Sequence, residues 1–156
     1  MKTNFIKKAT MLIVIATTLI MSLAFSPKMN IDNQVMIYGI VYTQECNNES
    51  YQYFTNELVD ASNYYVKQKE METRLWKSHP NAKKIRVGSS KNDYGNSATN
   101  MCVIQWEKEA SNYCYYKVVA VAFGKSQTEA SNNAIEKKDT WGGKNTNYSI
   151  LESKYW

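Results

Sequence analysis

The chain has 156 residues, of which 44% are hydrophobic and 13% aromatic, with a formal net charge of +5. This composition is typical of a globular protein, and the length allows one domain with a sizeable core. Three of the lysines lie in the first 26 residues, so the remainder has 16 basic and 14 acidic residues, a net charge of +2. This small excess of basic residues therefore does not predict a nucleic acid as the partner.

The first 26 residues have the pattern of a secretory signal peptide. Three lysines precede an uncharged run over residues 9–25 that is rich in Leu, Ile, Met and Val. A basic start followed by a short apolar core predicts export, with cleavage after Ala24 or Ser26. The alternative is an uncleaved anchor, which would be the chain's membrane contact. We therefore predict a signal peptide over 1–26 and one small domain over 27–156, periplasmic or extracellular, in a bacterial protein.

The first half of the predicted domain contains strands and one helix. Residues 35–43 are apolar on both alternating faces, which is typical of a strand in the middle of a sheet. Residues 51–59 are ambiguous between a strand and the start of a helix, and their Tyr, Phe and Thr content favours a strand. Apolar residues at helical spacing predict a helix over 61–78. Residues 83–89 then predict a strand, and residues 89–100 an exposed loop.

The second half repeats a strand followed by a helix, although no internal sequence repeat is evident. Residues 101–106 and 113–123 predict two strands joined by a short turn, hence a hairpin. A capping box, Ser126-Gln127-Thr128-Glu129, predicts the start of a helix over 127–140. A last strand is predicted over 148–156.

The resulting element order is β(β)αβββαβ, which predicts an α+β domain. Hairpins and only two helices favour a mixed or mostly antiparallel sheet of five to six strands, with both helices packed on one face. The strand over 113–123 and the helix that follows it both carry small side chains, which would let the strand and the helix approach closely.

Three cysteines occur in a chain predicted for an oxidising compartment, where cysteines tend to pair. Cys102 and Cys114 lie on the two arms of the predicted hairpin, and they would face each other if the turn centred near Lys108. A disulfide is therefore predicted between Cys102 and Cys114, with three buried thiols as the alternative. The cysteine spacing and a single histidine do not predict a metal site, and no cofactor is expected.

Basic residues are concentrated between residues 67 and 91, where eight basic and two acidic residues give a net charge of +6. Such a stretch could bind an anionic envelope component or an acidic protein. The alternative is a solvated helix face followed by a lysine-rich edge strand that resists aggregation. The candidate binding residues are Lys67, Lys69, Arg74, Trp76, Lys77, Lys83, Lys84, Arg86 and Lys91.

No catalytic residues are predicted. The chain has no nucleophile elbow and no phosphate-binding glycine loop, and His79 lies in a helix-ending turn with no cysteine placed beside it. We therefore expect a non-catalytic binding or interaction module of the cell envelope or exterior. The alternatives are a small secreted hydrolase that uses a carboxylate pair, or an inhibitor or immunity-type protein.

Overall fold

The computed structural model describes residues 33–110, 113–143 and 145–156, so the predicted signal peptide over 1–26 lies outside the described residues. The protein is α+β, as predicted, and no helix in the described ranges is long and apolar enough to cross a membrane. A π-helical turn, Asp139–Gly143, directly follows the last helix. The elements are β1 (Gln34–Glu45), β2 (Asn48–Asp60), α1 (Tyr64–Ser78), β3 (Lys84–Ser89), the short α2 (Ser90–Asp93), β4 (Asn100–Glu109), β5 (Tyr115–Gly124), α3 (Gln127–Lys138) and β6 (Tyr148–Tyr155).

The strands form two three-stranded antiparallel sheets, in the orders β2-β1-β3 and β5-β4-β6. Each half of the chain thus folds as strand, strand, helix, strand, with its first strand at the centre of its sheet. The prediction of a single sheet of five to six strands with two helices on one face is wrong. The two halves are a structural repeat that the sequence does not reveal.

The two central strands explain this arrangement. β1 is buried from residue 35 to residue 41, and β4 is buried from residue 100 to residue 104. A strand that is apolar on both faces needs cover on both sides. In each sheet one face packs against the other sheet and the opposite face packs against a helix, which gives four layers in the order helix, sheet, sheet, helix.

The core between the two sheets is built mainly from alternate residues of β1, β4 and β5, with Ala98 and Trp156 added from outside the strands. Its aromatic rings are in contact, since the ring centroids of Tyr38 and Phe123 lie 5.9 Å apart and Trp156 meets Phe123 edge-on at 6.1 Å. The aliphatic members are Met36 and Ile40 of β1, Met101 and Val103 of β4, and Val119 and Val121 of β5.

Each outer face is covered by one long helix. α1 packs Met71 and Leu75 against β1, and α3 packs Ala130 and Ala134 against β4 and β5, where small side chains on both elements allow a close approach. The predicted capping box begins α3. The Ser126 hydroxyl accepts a hydrogen bond from the Glu129 N–H at 3.2 Å.

Two further predictions of local structure have different outcomes. The strand interpretation of residues 51–59 is confirmed, because they lie within β2. The exposed loop predicted over 89–100 is wrong, because the segment includes α2 and the buried residues Ser89, Ser90, Ala98 and Asn100. The Ser90 hydroxyl accepts the Met36 N–H at 3.2 Å, so this polar segment completes the hydrogen bonding of β1.

The predicted disulfide between Cys102 and Cys114 is wrong. Cys114 is bonded to Cys46, with the two Cα atoms 5.7 Å apart, and Cys102 is a buried free thiol. The prediction fails because β4 is longer than expected. It continues to Glu109, so the turn between β4 and β5 is centred beyond Lys108, the position assumed from the sequence. Cys102 therefore lies opposite Ala122, while Cys114 belongs to the turn itself. The bridge joins the β1–β2 turn to the β4–β5 turn, which are the equivalent turns of the two halves.

Candidate functional site

A groove of about 300 Å³ opens where β3 of the first sheet lies beside β5 of the second. Lys84 and Arg86 pair with Tyr42 and Ile40 of β1, so they belong to the face of the first sheet that carries the shared core. Both are exposed, because the second sheet does not extend over β3. We call this site the cationic groove. It is defined by the cations Lys84, Arg86 and Lys108 and the rings of Tyr42, Tyr116 and Trp141.

The second wall of the cationic groove comes from the second sheet and the turn after α3. Lys108 and Tyr116 are opposite each other on β4 and β5. Trp141 packs on the buried Trp106 with ring centroids 6.3 Å apart. The helix can turn back here because Gly142 has a φ of 84°, a conformation that favours glycine. The Lys108 ammonium donates to the Trp141 carbonyl at 3.1 Å, which ties the turn to the sheet.

Positive charge in the cationic groove exceeds negative charge. Lys84 is paired with Glu49 at 2.8 Å, and its ammonium lies 5.9 Å from the centre of the Tyr42 ring. Arg86 and Lys108 have no carboxylate within 4.0 Å among the described residues. The charges of these two cations are therefore not neutralised by a carboxylate, and both can attract an anion that enters the groove, although the Lys108 ammonium also donates to the Trp141 carbonyl.

The Tyr42 hydroxyl adds a polar group beside these cations. Burial raises the pKa of Tyr42, and the nearby Arg86 guanidinium opposes part of that rise. The phenol is therefore neutral at physiological pH and can donate a hydrogen bond.

A second cavity, of about 290 Å³, lies on the other side of Trp141 and contains Lys137. Burial lowers the pKa of Lys137. Its ammonium donates to the Val121 carbonyl at 2.7 Å, and Asn133 of the same helix donates to the Phe123 carbonyl at 2.8 Å. These side chains protect the open edge of β5, so Lys137 already has a structural partner.

The structure divides the predicted basic stretch among several places. Only Lys84 and Arg86 line the cationic groove. Lys83 lies in the turn before β3 and Lys91 lies on α2. The remaining five candidates, Lys67, Lys69, Arg74, Trp76 and Lys77, all lie on α1, which covers the opposite face of the sheet.

Carboxylates neutralise much of the charge on α1. Lys67 pairs with Glu70 at 2.7 Å and Lys69 with Glu72 at 3.8 Å. Arg74 reaches across to Glu57 of β2 at 2.8 Å. The helix face is therefore a mixed-charge surface, in contrast to the cationic groove.

His79 borders a cavity of about 620 Å³ between α1 and β2. Its ring lies against Tyr53 with centroids 4.9 Å apart, and its Nδ1 is 2.9 Å from the hydroxyl of Ser78. These contacts give His79 a packing role at the end of α1. In the described ranges, no group of three His, Cys, Asp or Glu side chains is placed to hold a metal ion.

Sequence reasoning missed Tyr42, Lys108, Tyr116 and Trp141 as groove residues. They are separated along the chain and carry no shared local pattern, because strand pairing is what brings them together. The sequence feature that comes nearest to indicating the site is Trp141 followed by two glycines. This pattern predicts that a helix ends there and that an aromatic side chain lies at its end.

The chain matches no protein-family model, and no curated protein and no solved structure is significantly similar to it.

Proposed function

We propose that the protein is an exported, non-catalytic binding module that holds an anionic ligand in the cationic groove. The observation that carries the proposal is the presence of two uncompensated cations, Arg86 and Lys108, among three aromatic rings in one concave site. The N-terminal pattern supports export. The bond between Cys46 and Cys114 supports it too, because disulfides persist in oxidising compartments.

The groove chemistry favours a carboxylate or a phosphate. A guanidinium can bind either group with two parallel hydrogen bonds, and Lys108 supplies a second positive charge on the opposite wall. The rings of Tyr42, Tyr116 and Trp141 offer flat contact area with few rotatable bonds. A ligand with both acidic groups and flat faces uses all of these features, which favours an acidic polysaccharide.

A lipid surface is the less suitable ligand. Binding to a membrane surface usually relies on a helix with basic and apolar faces that can lie flat on the headgroups. Here the cations without a carboxylate partner lie on strands inside a groove, whereas three of the four basic side chains of α1 are paired with carboxylates.

The proposal is tested by calorimetric titration of the protein with a soluble polyuronic acid. We expect Arg86→Gln to weaken binding by about tenfold to a hundredfold, since a hydrogen bond to a charged group contributes about 1.5–3 kcal/mol and each 1.4 kcal/mol is tenfold in affinity. Lys108→Gln should weaken binding by a similar factor. Affinity should fall as salt rises, and neutral dextran should not bind.

Lys77→Gln is the matched control, because it removes the same charge from the exposed face of α1. It should change the affinity by less than about twofold. An equal loss with Lys77→Gln would move the binding surface to the helix and reject the groove. Cleavage of the polysaccharide during the titration would reject the non-catalytic assignment.

A further inference from the structure

The outer face of β6 carries exposed apolar side chains. Ile150 is 59% exposed and Tyr155 is 70% exposed, and both Tyr148 and Leu151 are also exposed. The helix that covers this sheet packs on β4 and β5, and the core beneath it includes no residue of β6 among the described residues. An exposed apolar stripe of this kind indicates an interaction surface.

β6 is also an open sheet edge. It pairs with β4 on one side, and nothing in residues 33–110, 113–143 or 145–156 hydrogen-bonds to the backbone on its other side. The β5 edge of the same sheet is protected, because Lys137 and Asn133 bind its carbonyls. The β3 edge is short and basic, which discourages pairing. β6 has an irregularity at Leu151, which has no partner on β4, but no side chain of the described residues binds its outer edge.

We propose that β6 pairs with β6 of a second copy of the chain, antiparallel and centred on Ser153, so that two three-stranded sheets join into one of six strands. The charges of β6 fit this register. Glu152 would lie opposite Lys154 of the partner subunit, and Lys154 opposite Glu152 of the partner subunit. Leu151 would lie opposite Tyr155 of the partner subunit, so exposed apolar side chains would cover each other.

Neighbouring registers are less favourable. Centring the pair on Glu152 would place two glutamates opposite each other, and centring it on Lys154 would do the same with two lysines. Both charged side chains are held in place within their own chain. Asn56 of β2 donates to Glu152 at 2.7 Å and accepts from Lys154 at 2.9 Å. Side chains that are already ordered lose less entropy on association.

Analytical ultracentrifugation of the full chain tests the proposal. We expect a concentration-dependent dimer. Glu152→Lys alone and Lys154→Glu alone should each raise the dimer dissociation constant at least tenfold, because each puts like charges opposite each other. An equimolar mixture of these two variants should regain dimers, because each chain then supplies the charges that the other lacks. Each variant also loses one hydrogen bond to Asn56, and this loss is the same whether the variant is alone or in the mixture. A return of dimers in the mixture therefore reports the charge pairing between chains.

A cysteine variant tests the register without disturbing these charges. Both cysteine variants are made in a Cys102→Ala background, because Cys102 is a free thiol directly opposite Ser153 in the same chain. Ser153→Cys should then form a disulfide between two chains, because residues opposite each other at the centre have Cβ atoms about 5 Å apart. Ser149→Cys is the control, because the two copies of this exposed position would be about 27 Å apart. A chain that remains monomeric at all concentrations, or equal cross-linking of both variants, would overturn the proposal, as would failure of the mixed variants to dimerise.

Discussion

Among the residues that the structure describes, Tyr38 is the largest of the fully buried side chains, and its hydroxyl donates a hydrogen bond to Asp93. Burial, together with the Asp93 carboxylate, raises the pKa of Tyr38 above its ordinary value of 10.0. Burial also raises the pKa values of Tyr42 and Tyr51. These hydroxyls keep their protons to a higher pH in the folded chain than in the unfolded chain.

This difference predicts a loss of stability in alkali. Above about pH 10 the unfolded chain releases tyrosine protons that the folded chain retains, so the free energy of unfolding falls as pH rises. Tyr38→Phe removes one such group and should make the fall less steep, by up to about 1.4 kcal/mol for each pH unit. Urea unfolding between pH 8 and pH 11 measures this effect.

Tyr113→Phe is the control, because it removes the same hydroxyl group from a side chain that is 86% exposed. Its stability should follow the same pH dependence as the unaltered chain. If Tyr38→Phe also follows that dependence, burial of the Tyr38 hydroxyl does not limit stability in alkali.

Single elements follow from local sequence patterns, but their partners do not. The capping box predicts the start of α3, and the apolar residues on both faces of β1 predict a central strand. Neither pattern predicts which strands pair with β1 on its two sides. Two central strands are compatible with one wide sheet or with two narrow sheets, and only long-range packing distinguishes these arrangements.

The same limit applies to the candidate site. Charge density along the chain identified Lys84 and Arg86, which do line the cationic groove, but it gave equal weight to α1. Lys108 could not be identified, because its place depends on where β4 ends. The length of β4 also decided the cysteine pairing, since a turn three or four residues further along removes Cys102 from the reach of Cys114.

The disulfide joins equivalent turns of two halves that share one core. Cys46 and Cys114 are 68 residues apart in the sequence. Closing a loop of this length in the unfolded chain is predicted to stabilise the fold by about 4 kcal/mol, and measured values are commonly about 2–4 kcal/mol. The bridge therefore holds together two sheets that are otherwise joined by packing and a few side-chain hydrogen bonds.

Replacing both cysteines, Cys46→Ser with Cys114→Ser, should lower the free energy of unfolding by about 2–4 kcal/mol. Urea unfolding under non-reducing conditions gives this value. Peptide mapping of Cys102→Ala is the control, and it should still recover a linked peptide that contains Cys46 and Cys114. A linked peptide that contains Cys102 in the unaltered chain would contradict the pairing.

The central claim is that the two halves together form a binding site for an anionic ligand, and NMR titration tests it most directly. Amide resonances of the protein are followed while a soluble polyuronic acid is added. The largest shifts are expected at Tyr42, Arg86, Lys108, Tyr116 and Trp141, with the exposed face of α1 unchanged. Shifts confined to α1, or no shifts at saturating ligand, would contradict the claim.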